Sequence, residues 1–116
     1  MDHRHLQREL AGPSRELRSH IPEVYEAFSG LSHAAMAEGE LSRATKELIA
    51  LAIAISRECD GCIAAHARGA AKAGATRQQV AEMAGVAILM NGGPGTVFGP
   101  RALEAFDQFS EAGATS

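Results

Sequence analysis

The sequence predicts an all-α fold, and three observations lead there. Alanine, the strongest helix former, occurs 23 times against four valines and six isoleucines, so helix is favoured over strand along most of the chain. Apolar residues recur at helical spacing through successive segments, which Pro22, Gly39, Gly74 and the run Asn91 to Gly95 punctuate. With 116 residues, the chain has room for one domain, spanning 1–116, and one core. A chain of this size buries about two-thirds of the surface its unfolded form exposes, a thin margin that oligomerisation would widen.

Taken in order, residues up to about Ser19 carry only a weak pattern, read as one short helix. Pro22 suits a first helical position, and Val24, Phe28, Leu31 and Ala35 then follow at spacings of four, three and four, one apolar stripe that ends near Gly39. Ser42 caps the next segment, which runs through Glu47 into the apolar residues Leu48 to Ile55. A helix apolar all round calls for central burial. A strand competes for that run, but its alternate positions are alanines rather than β-branched residues and its flanks continue helical. From about Asp60 to Ala73 an alanine-rich helix closes at Gly74, and Thr76 with Gln79 forms a capping box for another. Val80, Met83, Ala84, Ala87 and Met90 line one face of that helix until Asn91-Gly92-Gly93-Pro94-Gly95 stops it. Ala102, Leu103, Phe106 and Phe109 mark a final amphipathic helix, and such small side chains let the helices pack closely as a bundle.

The net charge of −3, from 11 basic and 14 acidic residues, gives no electrostatic basis for binding a phosphate backbone, so nucleic acid is not expected as a partner. MDHRHLQREL is charged throughout and lacks the apolar segment of a secretory signal, while Leu48 to Ile55 is too short to span a bilayer. The expected location is cytoplasmic, with no membrane partner. Both cysteines, Cys59 and Cys62, lie too close in sequence to staple distant parts of the chain. In a reducing compartment such a pair points to redox or metal chemistry.

The spacings around this pair can be tested against helix geometry. Cys62 and His66, four residues apart, share a helix face, so His66 can accept the Cys62 proton or stabilise its thiolate. Residues three apart in a regular helix have Cβ atoms about 5 to 6 Å apart, whereas a disulfide needs about 3.5 to 4.5 Å. A helix interior would resist the bond, but with Cys59 at the cap and Cys62 in the first turn the backbone can adapt, helped by Gly61. The same placement favours a thiolate, because unpaired N–H groups and the positive dipole end face it. Glu47 precedes Cys59 by twelve residues, about 18 Å along an unbroken helix. Should the chain turn back around Glu58, Glu47 and His66 would differ by about 4.5 Å along the pair of helices, within direct or water-bridged reach. A buried carboxylate there would orient His66 and exchange a proton with it.

Glu47, then Cys59-Asp60-Gly61-Cys62, then His66, resembles the active-site signature of the alkylhydroperoxidase D (AhpD)-like proteins of the carboxymuconolactone decarboxylase superfamily. The similarity runs over roughly 22–109. It implies an all-helical bundle of about five to six helices, assembling into trimers or hexamers, that reduces hydroperoxides through a disulfide intermediate without a cofactor. By the same resemblance, Cys62 is the peroxidatic thiol, Cys59 the resolving thiol, Glu47 and His66 a proton relay, and the reductant a lipoyl- or thioredoxin-like dithiol. The best-known AhpD enzymes carry a second histidine between the cysteines, where this chain has Gly61. The decarboxylase branch lacks the redox pair.

Other readings of the same residues stay open at this point. The thiols could bind metal or merely pack in a helical assembly module, although Cys59, Cys62 and His66 give zinc only three ligands, with Glu47 a fourth. Glu47 and His66 could also serve as acid and base on a lactone or small carbon acid without the thiols. His3, His5, His20 and His33 have no partners at ligand spacing and are expected at the surface. Asp60 is expected to cap the helix of the pair. The glycine-rich segment lacks the preceding strand and following GK[ST] of a phosphate loop. Phe28, Phe98, Phe106 and Met83 are expected in the core or at subunit contacts, where some could line an apolar pocket for an organic peroxide.

Overall fold

The structure, a computed structural model, describes residues 1–115, with side chains through Ser110. Among the described residues there are six helices and no strand: α1 (His3–His20), α2 (Pro22–Met36), α3 (Arg43–Ser56), α4 (Asp60–Lys72), α5 (Arg77–Asn91) and α6 (Gly93–Thr115). The four helices α3 to α6 form the packed body; α1 lies against α4 and α6, and α2 touches only α1 and α3.

Most of the predicted punctuation holds, but the stop expected over Asn91 to Gly95 is a single residue, because α5 runs through Asn91 and α6 already begins at Gly93. Ser42 accepts from the Thr45 N–H, Pro22 opens α2, and Thr76 and Gln79 bond reciprocally as a capping box. Gly74 and Gly92 sit at positive φ where α4 and α5 end. At Gly95 the first turn of α6 presses onto α5, and an added Cβ would lie 2.8 Å from the Ile88 Cα. The core is built from Leu51, Ala54 and Ile55 of α3, Ile63, Ala67 and Ala70 of α4, Val80, Ala84 and Ala87 of α5, and Ala102, Ala105 and Phe106 of α6. Alanine at most of these positions lets the helix axes approach closely.

Several expectations need correction. The N-terminal segment is a helix of 18 residues rather than a short one. It carries few apolar residues because α1 lies on the outside and buries only His3; Asp2 starts it by accepting from the His5 N–H. His3, expected at the surface, is fully buried against α6, where its Nε2 lies 2.9 Å from Glu104 Oε1 and its backbone N–H donates to Gln108 Oε1. His5, His20 and His33 are exposed as expected. The run Leu48 to Ile55 is buried on one side only, since Ile49 and Ile53 face outward from α3. Met90 leaves the buried face of α5 with Val86 and Leu89. On α2, Val24, Phe28 and Leu31 are 60%, 67% and 65% exposed, so in the single chain most of this stripe faces water, and of the two places expected for Phe28 the core is not the one it takes.

Candidate redox and acid–base site

The connection from α3 to α4 has no loop residue to spare. After the C-cap Arg57, Glu58 takes a left-handed conformation at φ 54, its N–H donates to Ile55 O, and the Cys59 N–H donates to Ala54 O. This pair of bonds is the Schellman ending of a helix, with Glu58 in the place glycine usually fills. Cys59 is at once the residue that closes α3 and the N-cap of α4: its Sγ accepts from the Cys62 N–H at 3.2 Å. Asp60, expected to cap, is displaced from that role by Cys59. The reversal around Glu58 is the one that the Glu47-to-His66 spacing requires.

Cys59 and Cys62 are joined as a disulfide with Cα atoms 5.2 Å apart, within the ordinary range for such a bond. Cys62 is exposed and Cys59 half-buried. The bond closes at the helix start, where the first N–H groups lack helical partners and the backbone can bring the sulfurs together.

The structure also brings Glu47 to His66. Glu47, buried on α3, has its Oε2 3.0 Å from His66 Nδ1 on α4, and its Oε1 accepts from Arg43 Nε at 3.2 Å. With the carboxylate ionised, and so an acceptor only, Nδ1 carries the hydrogen and the Nε2 of a neutral His66 is left able to accept a proton. His66 lies one helical turn after Cys62 on α4, so its imidazole and the exposed sulfur share a face.

Three contributors escaped the sequence reading. Gly69, one turn beyond His66, is the first: a Cβ there would fall on the Glu47 carboxylate, so the missing side chain is the space that Glu47 occupies. Its spacing of three from His66 was the available signal. Arg43, four residues before Glu47 on the same helix, was visible as an ion-pair spacing. The third is Arg101 of α6, whose Nη1 lies 3.0 and 3.2 Å from the two Asp60 oxygens, a contact across 41 residues that no local pattern announces. At Gly61, where an AhpD enzyme would carry histidine, an added Cβ would lie 3.2 Å from Leu10 Cδ1, so α1 covers that position. Among the described residues, no group of three or more His, Cys, Asp or Glu side chains is arranged to hold a metal ion. Among the described residues, no helix is long and apolar enough to cross a membrane.

Fold and site together define an all-helical protein that carries a CxxC disulfide at a helix start, one turn from a buried carboxylate–imidazole pair. The chain belongs to the carboxymuconolactone decarboxylase family, whose pattern it matches over residues 22–111. An uncharacterized protein of Cupriavidus necator is 43% identical over 86 residues, covering 74% of this chain and 76% of that protein. An uncharacterized protein of the cox locus of Paracoccus denitrificans is 38% identical over 89 residues, 77% and 80% of the two chains. The crystal structure of an apo carboxymuconolactone decarboxylase family protein from Legionella pneumophila superposes with a TM-score of 0.89 at 39% identity, covering 93% of this chain and 96% of that one.

Proposed function

We propose that the protein is a thiol-dependent hydroperoxide reductase of the AhpD type, acting in the cytoplasm. The observation that carries this reading is the Cys59–Cys62 disulfide at the start of α4, one turn from a His66 that is oriented by buried Glu47. In the reduced protein, the Cys62 thiolate attacks the terminal oxygen of ROOH; the O–O bond breaks, ROH leaves with one proton, and Cys62 becomes a sulfenic acid. His66, relayed to Glu47, accepts the thiol proton and returns it to the leaving alkoxide. The Cys59 thiolate then displaces hydroxide from the Cys62 sulfur, forming the disulfide and water. An external dithiol, lipoyl- or thioredoxin-like, restores both thiols and is itself oxidised to a disulfide.

The exposed stripe Val24, Phe28 and Leu31 supports the accompanying proposal that copies of the chain assemble, as trimers or hexamers, by covering this face of α2. The chemistry is tested by counting free thiols and recording intact mass before and after one equivalent of an organic hydroperoxide. Loss of both thiols as a dithiothreitol-reversible disulfide is expected, with Cys62→Ser inert and Cys59→Ser trapped as a sulfenic acid. Unchanged peroxide consumption in both variants would falsify the mechanism.

A further inference from the structure

The two cysteines flank a charge that this chemistry does not use. We propose that Arg101 is a positioning residue for the Cys59–Cys62 couple, which neutralises Asp60 so that a thiolate can form in the first turn of α4; this rests on the dithiol reading above. Asp60 is the first residue of α4, between the N-cap sulfur of Cys59 and the turn that holds Cys62. Arg101 reaches it from α6, with Nη1 at 3.0 and 3.2 Å from the carboxylate oxygens, and both side chains are about two-thirds covered or more, at 35% and 28% exposed. Its guanidinium is also held 4.6 Å above the ring of Phe98, one turn earlier on α6. A planar guanidinium can stack and bond at once, which a lysine ammonium does less well.

The electrostatic consequence follows from the charge states. A carboxylate at the first position of a helix suits the dipole, yet it opposes a second negative charge beside it. The disulfide is neutral and indifferent to Asp60, whereas a thiolate at Cys59 or Cys62 is not. Asp60 left alone would therefore raise the thiol pKa and favour the oxidised pair. Of the other charges at this end of α4, Arg57 and Glu58 are exposed in the turn, and the His66 ring is engaged by Glu47.

The test equilibrates the full chain with glutathione at about pH 8, near the ordinary cysteine pKa. One protein disulfide takes two electrons and two protons from two glutathione thiols, giving a protein dithiol and one glutathione disulfide. Thiol pKa is read in parallel from ultraviolet thiolate absorbance. Arg101→Gln should raise the thiol pKa by about one unit, and the equilibrium toward dithiol should fall by up to about tenfold. Asp60→Asn should move both quantities the other way, and the double variant should return close to the wild type. Arg101→Lys, which keeps the charge, should stay within about twofold of the wild type in the equilibrium. If the wild-type and all variant equilibria coincide, or if the double variant is shifted as far as Arg101→Gln alone, Arg101 only braces α6 against α4 and the proposal fails. Should Arg101→Gln not fold, Asp60→Asn decides alone, since an unchanged thiol pKa there equally overturns it. A wild-type pair that never exchanges with glutathione defeats the dithiol reading instead, a result distinct from an unshifted equilibrium.

Discussion

The Glu47 carboxylate occupies the volume that a side chain at Gly69 would need. Glu47 cannot retreat freely, because Arg43 and His66 each hold one of its oxygens. Gly69→Ala is therefore expected to destabilise the fold by about 1 to 3 kcal/mol, the range for forcing an extra methyl into packed space. It should also slow peroxide-driven thiol loss by displacing the relay. Denaturant midpoints and the rate of thiol loss check the two effects, and an unaltered midpoint would mean that α3 and α4 separate more easily than their packing implies.

Removing the relay while keeping its shape is the second test. Glu47→Gln retains an oxygen for the His66 N–H but loses the charge, and His66→Asn removes the base. Each should lower the rate of thiol loss by about a hundredfold or more, the scale of a positioned acid–base group. The double variant should be little worse than the worse single one, because the two groups act as a unit. Additive losses in stopped-flow thiol titration would separate them.

Glu58 holds a left-handed conformation between Ser56 and Cys59 at a site where Schellman endings favour glycine. The conformation costs a side-chain-bearing residue about 1 to 2 kcal/mol, part of which glycine gives back through its freer unfolded chain. Glu58→Gly should therefore stabilise the protein by a few tenths to about 1 kcal/mol, seen as a higher thermal midpoint. A lower midpoint would show that the Glu58 side chain contributes more than its backbone strain removes.

Much of this arrangement was legible because it is local. Caps at Ser42 and Thr76, the proline opening α2 and the glycine closing α4 each act within one turn, so sequence spacing alone reveals them. The meeting of Glu47 and His66 was also legible, because a single reversal at Glu58 fixes their offset. What stayed hidden depends on helices that meet only in the fold. Arg101 reaches Asp60 across 41 residues, and His3 is buried by α6 rather than by its own sequence neighbours. The apolar stripe of α2 and the outward Ile49 and Ile53 look like core in the sequence, since periodicity identifies an apolar face but not what covers it.

The contact of α1 with α6 should make stability depend on acid. Burial tends to raise the Glu104 carboxyl pKa, but hydrogen bonds from the N-terminal ammonium and from His3 outweigh it and hold the group below its ordinary value of 4.5. A carboxyl depressed in the folded state contributes stability that is fully present above its unfolded pKa and is lost as pH falls through its folded one. Untagged wild type should accordingly be more stable than Glu104→Gln above about pH 5, and the gap should close as the solution is acidified below the unfolded value. Urea midpoints across this range decide it, and a gap independent of pH would assign the loss to packing rather than charge.

The unpartnered face of α2 makes the last prediction. Val24, Phe28 and Leu31 are each at least 60% exposed at helical spacing, and α2 buries no residue in the single chain, so water contacts a continuous apolar stripe. Removing apolar surface from water is worth roughly 25 cal/mol per Å², which makes such a stripe a strong drive toward association. Purified protein should therefore run as an oligomer in light scattering, and Phe28→Asp should lower its mass toward that of a single chain. Phe28 is 67% exposed on α2, whereas the Glu47–His66 pair is held between α3 and α4, so this variant should keep its helical content and its disulfide. Wild type that runs as a clean monomer at every concentration would remove assembly as the reason for the stripe.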